Sequence, residues 1–181
     1  MNEEKRDWKQ VFLERLENLT SGEKAALKRC IGLQLKDSRN EAIAAFYKTI
    51  PFNEIKMGRE FEEKLFLLAT LRAFHRYPEK KEISFGTTLR LLKEAQGSKS
   101  FDKKFYALID SKISPDDGEL AYRMAQIIRM SDSHGIKIFW RKLLDDLIVW
   151  GSETKTVQRN WARSYFVAGE DLIKKGEKKY E

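Results

Sequence analysis

Cysteine occurs once in the 181 residues, at Cys30. A single thiol forms no intramolecular disulfide and holds no metal cluster of its own, which agrees with a reducing compartment. Histidine is almost as scarce: His75 and His134 are the only side chains that titrate near neutrality unaided. His75 continues the Leu68 and Leu71 stripe and reads as packed or helix-terminal. His134 stands in SDSHG at a predicted helix end, where an imidazolium suits the C-terminal dipole. Apolar runs such as FLLAT fall far short of the roughly 18 residues that a membrane-spanning helix needs. The opening MNEEKRDW carries charges of both signs and no apolar stretch, so no secretory signal is expected and the default location is cytoplasmic. The Gly-rich phosphate loop, the dinucleotide-binding glycine pattern and metal-ligand spacings are all missing. No cofactor or metal is called for, and enzymatic chemistry is not expected.

What is present is a chain able to build a core, with 41% apolar and 12% aromatic residues. No sustained strand-type alternation appears, and apolar residues recur at three- and four-residue spacing. The fold class is therefore all-α, with about eight or nine helices. Trp8, Phe12, Leu16 and Leu19 mark the first. Thr20 to Glu23 is a capping box that starts the second. Asp37 or Ser38 caps a third, which stops before Pro51. Phe61, Leu65, Leu68 and Leu71 place a long fourth helix up to Tyr77, ended by Pro78, and Ser84 opens a fifth. GSKS at 97–100 breaks the chain into two helical halves, 1–97 and 98–181. Beyond it, Phe101, Phe105, Leu108 and Ile109 form a stripe. SPDDGE reads as a helix start with Ser114 as cap and Pro115 in the first turn. Ile136 through Trp150 mark a helix closed by Gly151, and VQRNWARSYF carries the last.

The charge balance is basic, 35 Lys and Arg against 28 Asp and Glu, which suits a polyanion partner only if the cations are suitably placed. On the second helix Ala26, Leu27, Cys30, Ile31 and Leu33 fill the predicted buried arc. Lys24, Lys28 and Arg29 lie opposite, with Ala25 and Gly32 as gaps through which a phosphate backbone could approach. Arg59 begins the fourth helix, Lys103 and Lys104 precede Phe105 and Tyr106, and Arg123 and Arg129 lie on the SPDD helix. Cations on separate helices can line one groove if the fold gathers them. Asp145 and Asp146 stand four residues after Arg141 and Lys142, a pattern explained by surface ion pairing.

In VQRNWARSYF, Val157 and Tyr165 lie within about 40° of Trp161 on a helical wheel, whereas Arg159 and Arg163 lie about 160° to either side. Trp161 and Tyr165 thus read as core anchors, packing on Trp140, Leu143 or Trp150. The arginines point away, four residues apart, toward either a nucleic-acid strand or nearby acids such as Glu170 and Asp146.

In order along the chain, SGEKAALKRC, AFYKTIP, LFLLATLRAFHRYP, ISFGTTLRLL, GIKIFWRKLLDDLIVW and VQRNWARSYF resemble the small subunit of the type I-E CRISPR surveillance complex Cascade, the CasB family. The resemblance runs from about Trp8 to about Ile173. It implies a non-enzymatic, all-α protein present in two copies beside other Cascade subunits, with no membrane association. Such a subunit would help hold the guide RNA (crRNA), the target DNA strand and the displaced strand of the R-loop, while cleavage belongs to a separate nuclease-helicase. The basic surface it implies comprises Lys28, Arg29, Arg59, Lys103, Lys104, Arg123 and the region after Trp150. There Ser152, Glu153 and Thr154 replace the basic run of some relatives, so that contribution moves to Lys155, Arg159 and Arg163. Two other classes stay open, a helical protein-interaction scaffold and a stand-alone DNA-binding regulator. Against the regulator, no helix-turn-helix unit with a polar, base-reading second helix stands out.

Overall fold

The computed structural model describes residues 7–97 and 100–167, and the architecture is helical throughout them, with no strand. In order the helices are α1 (Trp8–Glu17), α2 (Ser21–Arg29), α3 (Asn40–Thr49), α4 (Arg59–Phe74), α5 (Phe85–Gln96), α6 (Phe101–Asp110), α7 (Glu119–Ser133), α8 (Trp140–Ile148) and α9 (Thr156–Phe166). Glu170 and the basic tail after it lie outside the described residues, as do Ser98 and Lys99 of the GSKS break.

Several ends follow the local chemistry. Thr20 accepts from the Glu23 amide while the Glu23 carboxylate accepts from the Thr20 amide, the reciprocal pairing that satisfies two otherwise unbonded donors. Ser84 caps α5, and Gly97 closes it at φ +60°, a left-handed conformation that glycine enters without steric cost.

Other ends differ from expectation. The cap of α3 is Arg39, with no side-chain bond; the Ser38 hydroxyl donates backward to the Gln34 carbonyl, and Asp37 closes a short 3-10 turn. Neither is therefore free to serve α3. Helix α4 stops at Phe74, short of Tyr77, because His75 adopts an extended backbone. SPDDG folds as a tight turn and α7 starts only at Glu119, whose amide is bonded by Asp117 in place of Ser114. Helix α8 begins at Trp140, and Ile136 lies in the non-helical segment that precedes it.

One hydrophobic core runs through all nine helices, and those on either side of the GSKS break share it. Helix α4 is its spine, buried from Lys64 to Leu71 and packed against α2, α7 and α8. Its lysine is structural. Lys64, only 6% exposed, pairs with Glu60 at 2.7 Å and donates to the carbonyls of Ile148 and Trp150 at 3.0 and 2.9 Å, capping the C-terminal end of α8.

Helices α5 and α9 come into backbone contact at Gly86. A methyl group built on Gly86 would lie 2.4 Å from the Trp161 carbonyl oxygen and 2.8 Å from its Cα. The two backbones meet without a side chain between them. Trp161 then wedges its ring against Phe85 and Trp150, with centroids 4.7 and 5.0 Å away, and donates its indole N–H to Asp146 at 2.7 Å. Of the partners offered to Trp161, Trp150 is the one its ring meets, while the Trp140 ring meets His75. One expectation is corrected here: Asp146 is not a surface acid but a buried group, 6% exposed, held by Lys142 and Trp161.

Gly86→Ala is expected to destabilise the protein by about 2 kcal/mol or more, because backbone atoms cannot rotate out of the clash as side chains can. Gly22→Ala, where an added methyl meets nothing within 4 Å, is expected to be neutral or slightly stabilising. Thermal melts of the two variants check the contrast.

His75 supplies a pH dependence. Burial holds its imidazole below the ordinary value of 6.5, while Nε2 donates to the Ile136 carbonyl at 2.9 Å. The unfolded chain therefore takes up this proton more readily than the folded one. Stability is full above pH 6.5 and declines as pH falls below it toward the lowered folded value. The melting temperature is expected to drop across that window, and by less in His75→Gln.

Candidate nucleic-acid interface

The C-terminal turn of α2 sits directly on α7. Gly32, at φ +85°, brings its Cα so close that an added methyl would lie 3.0 Å from the Ala125 Cβ. Gly32 is thus spent on helix packing and is not an open gap on the cationic face. Leu33, expected in the core, is 42% exposed because the helix ends at Arg29 and the following turn swings it outward.

This packing joins two expected cations. The Lys28 ammonium lies 5.3 Å and the Arg129 guanidinium 5.9 Å from the centre of the Phe74 ring, so one aromatic ring at the end of α4 carries cations from α2 and α7. Arg129 also donates to the Ile31 carbonyl at 3.3 Å, just beyond the end of α2, where a cation complements the helix dipole. Lys28, Arg29 and Arg129 are exposed. Lys24 is not available in the same way: half-buried, it donates its ammonium to the Glu17 carbonyl.

The contacts continue toward α6 and α9. Met130, next to Arg129, has its sulfur 4.0 Å from the Lys104 ammonium. Lys103 and Lys104 are exposed on α6. Below them, Phe105 stacks on Tyr165 of α9 with centroids 4.0 Å apart and planes within 5°. The Tyr165 hydroxyl donates to Asp102 at 2.6 Å, and Lys93 holds the same carboxylate at 2.7 Å. Those two bonds keep Asp102 below its ordinary carboxylate range, while burial and the Asp102 charge push the Tyr165 phenol up. Asp102 is therefore already committed and leaves Lys103 and Lys104 uncompensated. Arg159 and Arg163 are exposed on α9, and neither makes an ion pair with a described residue; Asp146, one of the acids offered to them, is occupied by Lys142 and Trp161.

Three further cations lie apart from this track. Arg59 begins α4, about 22 Å along the helix axis from Phe74, and faces Asp116 at 3.7 Å. Arg123 lies in the first turns of α7 and pairs with Glu119 at 3.4 Å. Lys155 precedes α9 at φ +50°, at the end of the helix away from Phe166.

Two residues of this surface were not read as exposed from the sequence. Tyr106 is 49% and Phe166 52% exposed, and their rings face each other with centroids 6.3 Å apart. Phe166 follows Arg159 by seven and Arg163 by three residues, a spacing that puts it on the arginine side of α9.

Comparison with known proteins agrees with this architecture. The family described as CRISPR-associated protein Cse2 matches residues 23–166. The CRISPR-associated protein Cse2 of Thermus thermophilus is 32% identical over 132 residues, 69% of this chain and 72% of that protein. Among solved structures, M. ruber CasB superposes with a TM-score of 0.70 at 24% identity, covering 94% of this chain and 97% of the other. A chain of a structure described as a CRISPR RNA-guided surveillance complex superposes with a TM-score of 0.71 at 19% identity, covering 93% and 96%. With the sequence match spanning most of the helical core and the fold shared nearly end to end, the chain belongs to the CasB/Cse2 family of CRISPR-associated proteins.

Proposed function

We propose that the chain is a non-catalytic subunit of a type I-E Cascade ribonucleoprotein that binds nucleic acid without reading its sequence. In this role it stabilises the R-loop formed by guide RNA, target strand and displaced strand. The observation that carries the proposal is the set of uncompensated cations on α2, α6 and α9, which are connected through α7 and the Phe105–Tyr165 stack. Lys28, Arg29, Lys103, Lys104, Arg159 and Arg163 are exposed and lack a carboxylate partner among the described residues, whereas Arg59, Arg72, Arg76, Arg90, Arg123 and Arg141 each have one. Surface charges that merely solvate a helix are usually interspersed with the opposite sign. Unpaired cations neutralise phosphates and release counterions, which supplies affinity for any sequence. R-loop formation exchanges one duplex for another of similar stability, so contacts of this modest kind suffice to shift its lifetime. Family membership and the likeness to a surveillance-complex chain support assembly with other Cascade subunits, in two copies as the family resemblance implies. A stand-alone regulator lacks comparable support.

Binding to single-stranded DNA should weaken steeply with salt, each phosphate contact adding about 0.7 to the logarithmic slope. Arg159→Ala with Arg163→Ala should lower that slope by about 1.4 and leave the melting temperature unchanged. A large fall in melting temperature with binding intact would instead assign the arginines to the fold. Arg59→Ala and Arg123→Ala should have smaller effects, since each cation is already paired. In the host, a tagged copy should co-purify with other Cascade subunits and a discrete guide RNA; recovery of the chain alone would defeat the assembly reading.

A further inference from the structure

We propose that Tyr106 and Phe166 form a stacking platform for the unpaired bases of a single nucleic-acid strand, whose phosphates run between Lys103 and Lys104 on α6 and Arg159 and Arg163 on α9. The proposal deepens the nucleic-acid reading and rests on it. Single apolar residues on a surface are ordinary. Here, however, two large rings from different helices are each about half exposed and lie 6.3 Å apart, with planes inclined by 29°. They are held from beneath, since Phe166 meets Phe105 and Tyr165 edge-on at 5.5 and 4.8 Å, and those two buried rings are themselves stacked. The protein's own packing thus sets the two rings side by side without a ligand, which lowers the ordering entropy lost on binding.

The rim decides which partner fits. The core of a protein-protein interface is depleted of charge. This pair instead has an exposed cation one helical turn before each ring, Lys103 before Tyr106 and Arg163 before Phe166, with Arg159 a further turn back. None of the three makes an ion pair with a described residue. Asp102, on the same helix as Lys103, is engaged by Lys93 and Tyr165, and the exposed Asp110 lies a turn beyond Tyr106. Flat π-faces bordered by cations match a single strand, whose bases stack while its phosphates are neutralised. A paired duplex hides its base faces and would meet only the cations.

The test uses the full-length chain and a single-stranded DNA substituted with 5-iodouracil, which cross-links to stacked aromatic side chains on irradiation. Adducts are expected at Tyr106 or Phe166. Tyr106→Ala with Phe166→Ala should weaken single-strand binding about tenfold without changing the salt slope, and leave duplex binding untouched. Tyr106→Phe and Phe166→Tyr should restore the affinity. Adducts confined to other residues, or an affinity within about twofold of the parent for the double alanine variant, would overturn the platform while leaving the electrostatic reading intact. Failure of the unmodified chain to bind any strand at low salt would overturn both. If the alanine variant does not fold, the adduct positions on the parent chain decide. Loss of assembly with sister subunits while the isolated chain still binds the strand normally would make the rings a protein-docking site and also overturn the proposal.

Discussion

The seating of α9 depends on one buried indole. Trp161 fills the space between Phe85 and Trp150, its N–H satisfies Asp146, and its backbone presses on Gly86, where no side chain intervenes. Buried Asp146 would be costly without that donor and the Lys142 ammonium. With both, the acid fixes the rotation of α9 about its axis. Once Trp161 and Tyr165 are turned inward, Arg159, Arg163 and Phe166 must face out, because the helical period leaves them no other side. The proposed interface is thus a consequence of core packing several ångströms away from it.

A similar economy operates at α2 and α7. Gly32 lets the end of α2 approach Ala125, and Arg129 uses that closeness to bond the Ile31 carbonyl while it shares the Phe74 ring with Lys28. One arginine thereby stabilises a helix end and adds to the cationic track. Lys64 shows the opposite allocation: its charge is wholly consumed by Glu60 and two carbonyls at the end of α8. Basic residues in this protein cannot be assigned to partner binding by their type alone; what each side chain already touches divides them.

Much of this was legible from residue spacing. The all-α class follows from three- and four-residue apolar periodicity, and the Thr20–Glu23 box and the Ser84 and Gly97 boundaries follow from local hydrogen-bonding and backbone chemistry. The inward turn of Trp161 and Tyr165 and the outward turn of the two arginines follow from a wheel. Local signals failed where a longer-range contact outcompeted them. Ser114 and Pro115 look like a helix start, yet Gln34 donates to the Ser114 carbonyl at 2.7 Å and the segment closes as a turn, delaying α7 to Glu119. Asp146 follows Lys142 by four residues, as a surface acid would, but the wheel of α8 alone does not show that an indole from α9 covers it.

By itself the sequence determined the helices, most of their inward faces, the excess of positive charge and, through ordered motifs, the family. Those properties are set by interactions within a few residues along the chain or by composition. Tertiary structure alone decided which cations are paired between distant segments, such as Arg59 with Asp116 and Arg72 with Glu17, that Lys28 and Arg129 share one ring, and that Tyr106 meets Phe166. Each of these depends on where two distant segments come to lie, and that is fixed by close helix contacts such as Gly86 on Trp161 and Gly32 on Ala125. A glycine in isolation does not announce which backbone it was left bare to admit.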